Sequence, residues 1–263
     1  MHTKIHFRII AIAGLLSLAC TTKVSEWVLL NSLPDHYTLV YFHKTAPSET
    51  TKQQNTLIDN NIKTANISFR SVLKQDINVP YYALYYKNRL FSTYNEQSYP
   101  EKLTTSPLRE RIATELMAGK LCVMLYLKTD NREKDDQWLQ IIRKTIDASP
   151  FSSIIPLVEL SRNNSEEMHF VSMLLNVESD LKRIQEPMLF GIFGRFRVLE
   201  PLLAKGISGE NIRLMIDFFT ADCSCLIKDD LPGMSILFSG NWENPAPALV
   251  NRILDENPSL LHH

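Results

Sequence analysis

The chain has 263 residues, of which 44% are hydrophobic and 22% charged, with 28 Lys and Arg against 29 Asp and Glu. That balance excludes a disordered chain, which is poorer in apolar residues and richer in net charge, and it excludes a strongly basic nucleic-acid binder. Four cysteines are too few to staple a chain of this length, which suits one large globular domain or two small ones.

Lys4 and Arg8 precede an apolar run from Ile9 to Ala19, and Cys20 follows it. A basic start, a short apolar stretch and a small-residue end make an export signal over residues 1–19, too short for a membrane span. The ending Leu16-Ser17-Leu18-Ala19-Cys20 resembles the lipobox of bacterial lipoproteins, with Ser17 where leucine is usual and Leu16 one place further out. The resemblance implies cleavage before Cys20 and acylation of that cysteine. It implies an address in the cell envelope, lipid-anchored and periplasm-facing or at the outer membrane; each buried methylene contributes about 0.8 kcal/mol to such an anchor. Residues 20–35 show no sustained periodicity beyond Val24, Trp27 and Val28 and are expected to form the tether. No later apolar run approaches the length of a span.

Tyr37-Thr-Leu-Val-Tyr-Phe42 predicts a buried strand, rich in aromatic and β-branched residues. A helix is expected between Thr45 and Lys63 and a second strand from Ala65 to Val72. Val79-Pro80 then leads into Tyr81-Tyr-Ala-Leu-Tyr-Tyr86, Lys87-Asn88 makes a tight turn, and Arg89 to Tyr94 returns as a hairpin. No helix is evident between the second strand and Pro80. Ser106-Pro107 opens a helix with a cap and an N1 proline; its stripe is Leu108, Ile112 and Leu116, and Gly119 closes it.

The same order recurs. Leu121-Cys-Val-Met-Leu-Tyr-Leu127 predicts a strand covered on both faces. Trp138, Ile142 and Ile146 mark an amphipathic helix, Ile154 to Leu160 a strand, and Met168 through Leu181 a further helix. Glu186-Pro187 precedes Met188-Leu-Phe-Gly-Ile-Phe193, a Gly194-Arg195 turn and Phe196 to Leu199. Ile212, Met215, Ile216 and Phe219 line a last helix of this half.

This succession, with two matched X-Pro hairpins at Pro80 and Pro187, resembles the thioredoxin fold twice over. The expected fold class is α/β: two β-α-β-α-β-β-α domains in tandem, at 36–119 and 120–225, with a short C-terminal extension at 226–263. In that family the proline before the third core strand is cis and lies beside the active site, so Pro80 and Pro187 are candidate sites. In the extension, Met234 to Phe238 is expected to add an edge strand or a short helix. A last helix is expected from about Pro247 to Asp255, and with Trp242 the extension should pack on the body.

A thioredoxin holds Cys-X-X-Cys at the end of its first strand, where a helix N-terminus lowers the thiol's pKa. The matching stretches, His43 to Glu49 and Lys128 to Glu133, contain no cysteine, so neither half can run ordinary dithiol exchange there. His43 reads as a polar strand-end residue. The remaining cysteine feature is Asp222-Cys223-Ser-Cys225, open to three readings: reduced thiols, a short-loop disulfide, or part of a soft-metal site. Cys122, inside an apolar strand, reads as a buried small hydrophobe. Arg195 and Arg197 read as solvated, Glu166-Glu167 and Asp229-Asp230 as surface charge. Gly191 to Gly194 and Gly206 to Gly209 lack the lysine and spacing of phosphate loops. The segment Phe219 to Asn241 looks like that of exported bacterial proteins, a likeness that implies no activity.

The expectation is therefore a non-catalytic binding or scaffolding lipoprotein with no cofactor. Its partners would be the membrane, through the N-terminal lipid, and a protein. The alternative is a thiol-disulfide oxidoreductase or soft-metal-binding protein using Cys223 and Cys225.

Overall fold

The structure is a computed structural model that describes residues 22–99, 102–223 and 230–240, with Asn251 and Asp255. The leader with Cys20, Cys225, Asp229, Trp242 and most of the expected last helix lie outside the described residues.

The chain enters through α1 (Val24–Asn31) and runs through β1 (Tyr37–His43), α2 (Glu49–Asn61), β2 (Ile67–Leu73), β3 (Tyr81–Tyr86), β4 (Arg89–Asn95) and α3 (Pro107–Met117). The strands form one sheet in the order β2-β1-β3-β4, with β1 and β2 parallel and the β1–β3 and β3–β4 pairs antiparallel. The second half runs β5 (Cys122–Lys128), α4 (Arg132–Asp147), β6 (Leu157–Ser161), α5 (Met168–Leu174), β7 (Met188–Phe193), β8 (Arg197–Val198), β9 (Leu202–Leu203) and α6 (Gly209–Thr220). Its sheet repeats the pattern as β6-β5-β7-β8, extended at the edge by β10 (Met234–Ser235), while β9 pairs with β7. A parallel β-α-β unit followed by an antiparallel hairpin and a helix is thus built twice.

Local chemistry accounts for the elements. Ser106 caps α3 by accepting the Arg109 N–H, with Pro107 in the first turn. Lys87 and Asn88 take φ of 45° and 66°, as a tight hairpin turn demands at both positions. β7 carries Gly191 because a Cβ there would sit 2.5 Å from the Phe219 ring; the bare backbone lets α6 lie close on the sheet.

Two hydrophobic cores follow. One joins the halves, from Leu39, Tyr41 and Tyr82 through Ile112 and Leu116 of α3 to Val123, Leu125 and Phe190 of the second sheet. The other lies on the far face of that sheet, where Met124 and Tyr126 meet Ile142 of α4 and Ile216 and Phe219 of α6. Each large apolar side chain so buried contributes roughly 1.5–3 kcal/mol. In the extension, Ile236, Leu237 and Phe238 enter the shared core, and the Phe238 ring stacks on Phe196 at 4.6 Å. Ser239 then bridges to Ala65 of the first half.

Several local expectations are corrected. Residues 24–31, in the stretch expected to be a tether, are a helix docked on the second half. Val24 and Val28 are buried, Ser25 Oγ donates to the Phe219 carbonyl, and Lys23 pairs with Asp222 at 2.8 Å. Eight residues are too few to show a period, and tertiary burial rather than propensity makes this helix. The helix from Met168 ends at Leu174 and is followed by a separate 3-10 turn at Leu181–Arg183. The strand expected from Ile154 starts at Leu157, after a 3-10 turn at Ser152–Ile154. The second hairpin turns over three residues, Gly194 to Phe196, because Phe193 pairs with Arg197. Among the described residues no helix is long and apolar enough to cross a membrane.

Candidate functional site

The ends of β1 and β5 are where this topology could place chemistry. Phe42 faces Tyr81 across β1 and β3, so His43 and Pro80 are the next positions outward. The His43 Nδ1 lies 2.9 Å from the Thr45 carbonyl oxygen and its ring stacks on Tyr41. Ser48 Oγ, at the start of α2, accepts the Thr51 N–H at 3.1 Å. In the second half Leu127 faces Met188, which sets Lys128 beside Pro187 in the same way. Both strand ends therefore meet an X-Pro segment and a helix N-terminus. Both halves are thioredoxin-like.

Solved structures similar to the chain include ERdj5 in its form II, with 9% identity over 80% of this chain and a TM-score of 0.27, and full-length ERdj5, with 14% over 77% and 0.26. The first two thioredoxin domains of Naumovozyma dairenensis Eps1p match with 13% identity over 77% of this chain and 97% of that one, at a TM-score of 0.27. The chain spans 31% and 30% of the two ERdj5 chains. At these TM-scores the likeness carries no argument, and the fold assignment rests on strand order, strand sense and helix placement. No family model matches the chain, and no curated protein matches it by sequence.

Two features set both strand ends apart from the family's active site. No peptide bond among the described residues is cis, so Pro80 and Pro187 are trans, against the family's cis proline. Each helix N-terminus is also occupied by the chain's own side chains. Asn131 Oδ1 accepts the Lys134 N–H, and Asp135 Oδ1 accepts both the N–H and the hydroxyl of Thr129 at 3.0 Å. Asp130 Oδ2 takes the Ser161 hydroxyl and the Asn163 amide. At each helix start, where a thiolate or a bound anion would be stabilised, one first-turn N–H is taken by the chain's own cap: Thr51 by Ser48 and Lys134 by Asn131.

The other candidate residues are dispersed. Cys223 is buried in the core under α1, and its N–H donates to the Thr22 carbonyl at 2.9 Å; Cys225 lies outside the described residues, as does Cys20. Cys122 is fully buried, and burial pushes its thiol well above the ordinary range. Among the described residues no three His, Cys, Asp or Glu side chains gather as a metal site.

Three charged positions read as surface turn out to be structural. Arg195 donates to the Leu29 and Leu30 carbonyls of α1, and Arg197 to those of Leu231 and Pro232. Glu167 is buried, its Oε1 accepting the Leu108 N–H at 2.7 Å at the start of α3. Each partner is distant in sequence, so no local pattern reports it.

The residues that sequence reasoning missed lie between the halves. Asp35 accepts the Tyr86 hydroxyl at 2.6 Å, pairs with Lys87 at 2.9 Å, and takes the N–H of Ser235 in the extension. Burial pushes this carboxyl up, but the hydrogen bonds from Tyr86, Lys87 and Ser235 and the charge of Arg197 outweigh it and hold it below its ordinary value. Arg109 is 2% exposed, and its guanidinium donates to Ser106 Oγ and to the carbonyls of Lys102, Leu103, Thr105 and Leu237. Burial pulls its pKa down to about 10, against the opposing charges of Glu167 and Glu110. Only the Ser106-Pro107 cap beside it is visible in sequence.

Proposed function

We propose that the chain is a membrane-anchored, non-catalytic binding or scaffolding protein of the cell envelope. In this reading it is exported, cut before Cys20, acylated there, and held periplasm-facing or at the outer membrane. It binds a partner protein through its two thioredoxin-like domains and uses neither a cofactor nor nucleic acid.

The observation that carries the reading is the closure of both strand ends. They have no cysteine, and each adjoining helix start is capped by the chain's own side chains, with Asp135 folded onto Thr129 in the second half. Cysteine chemistry at those positions would need a thiol there, whereas a capped surface without one suits recognition. The rival reading places thiol exchange or a soft metal at Cys223 and Cys225. It is disfavoured by the burial of Cys223 behind α1, which denies a partner thiol an approach.

The test is insulin-disulfide reduction by the purified chain with dithiothreitol, paired with intact mass under native and denaturing conditions. Expected are no turnover above the uncatalysed rate, no Cu(I) or Zn(II) adduct, and a mass gain at Cys20 in protein taken from membranes. Turnover, or a metal adduct lost in Cys223→Ser, would replace the binding reading with the chemical one. An unacylated Cys20 would return the chain to the ordinary secreted class.

A further inference from the structure

The two sheets are covered differently. In the second, Leu125 and Leu127 of β5, Leu160 of β6, and Met188, Phe190 and Ile192 of β7 share one face. That face is buried in the core that also holds Ile112 and Leu116 of α3 and Phe170, Val171 and Leu174 of α5. In the first sheet the same six positions are Val40, Phe42, Val72, Tyr81, Ala83 and Tyr85, and none of them belongs to either core.

Among the described residues, a missing helix sets this face apart. α5 lies on the connection from β6 to Pro187, whereas Lys74 to Val79 alone join β2 to Pro80, less than two helical turns of chain. α2 and α3 serve the opposite face, where Ile58 and Ile112 share a core with Leu39, Tyr41 and Tyr82. The unserved face is rich in aromatic carbon. The Phe42 and Tyr81 ring centres are 5.2 Å apart, Phe42, Tyr81 and Tyr85 are half-buried, and Val72 is exposed. A contiguous apolar patch left on a surface marks an interaction site.

The charge of this face is positive. Along the four strands it carries one charged residue, Arg70, and Lys74 adds a second, its Nζ 5.2 Å from the centre of the Phe42 ring. Neither is in an ion pair among the described residues, and Asp76 in the turn that follows pairs with neither.

We infer that this face binds an amphipathic helix of a partner protein, with an apolar stripe flanked by acidic residues. The helix takes the place of the helical layer that covers the same six positions in the second half. Its apolar side chains lie on Phe42, Tyr81 and Tyr85, and its carboxylates lie toward Arg70 and Lys74. A second copy of the chain fits less well, because it would set like charges against each other. This rests on the reading of the chain as a binding module and names the chemistry of its partner.

The probe is a fluorescein-labelled peptide, two repeats of Glu-Leu-Ala-Glu-Leu-Leu-Glu, titrated against the full chain by anisotropy, with hydroxyl-radical footprinting of the complex. The peptide is expected to bind and to protect Phe42, Tyr81 and Tyr85. The double variant Arg70→Glu/Lys74→Glu should weaken it by about tenfold or more and favour a counterpart with Lys in place of Glu. The footprint is read on the unmutated chain, so a variant that fails to fold leaves the test intact. No binding at millimolar peptide overturns the inference, as does binding that leaves the three rings unprotected or is indifferent to charge reversal. Vesicles of phosphatidylethanolamine and phosphatidylglycerol that protect the rings where the peptide does not would assign the face to a bilayer and overturn it too. None of these results bears on disulfide turnover, so failure here and failure of the non-catalytic reading are told apart.

Discussion

Asp35, ahead of the first sheet, places its Oδ2 3.5 Å from the Arg197 guanidinium of the second sheet, with both side chains largely buried. The same oxygen takes the Tyr86 hydroxyl and the Ser235 N–H. One carboxylate therefore ties the first sheet, the second sheet and the C-terminal extension together, and the two halves are expected to unfold as one unit.

Asp35→Asn is expected to lower stability by about 1–3 kcal/mol at pH 7, by weakening charge-assisted hydrogen bonds in a partly buried site. Because the folded carboxyl lies below its ordinary value of 3.8, its stabilisation is fully present above that pH and is lost as pH falls through the folded value. Urea melts of the two proteins should differ at pH 7 and converge as the pH falls through the folded carboxyl's titration.

Arg109→Met should cost about 3 kcal/mol or more, since four carbonyls lose their donor inside the protein. Arg109→Lys should recover only part of it, because an ammonium cannot reproduce the guanidinium fork. Denaturant midpoints at constant slope would report both effects; an Arg109→Lys variant as stable as the parent would count against the fork.

Gly191→Ala should destabilise by about 1–3 kcal/mol through overlap with the Phe219 ring. Shortening the partner in Gly191→Ala/Phe219→Leu should be less damaging than the sum of the single changes, a coupling that a double-mutant cycle measures directly.

Cys122 should resist iodoacetamide at pH 8 in the native protein and react fully in denaturant, because burial raises its thiol pKa and shuts out reagent. Native labelling mapped by peptide mass would contradict a closed second sheet.

The legible parts of the fold were those with strong local patterns. Tyr81 to Tyr86, with its Lys87-Asn88 turn, was readable because aromatic strand residues stand next to turn chemistry, and α3 announced itself through Ser106-Pro107. The helix α1 was not readable, because its eight residues are held by the second half rather than by their own propensity. The second hairpin was misread by one residue, because Phe196 takes a positive φ of 62° that its type does not advertise.

For the candidate site, the sequence alone determined the absence of cysteine at both strand ends, since that depends only on which residues follow a recognisable strand. It also determined the repeated order of elements, carried by periodicity and two X-Pro hairpins. Only the tertiary structure decided that Asp135 folds back on Thr129, and that Arg195, Arg197 and Glu167 are clamps rather than surface charge. Those features join residues far apart along the chain, and a long-range contact leaves no period, cap or spacing in the sequence that would betray it.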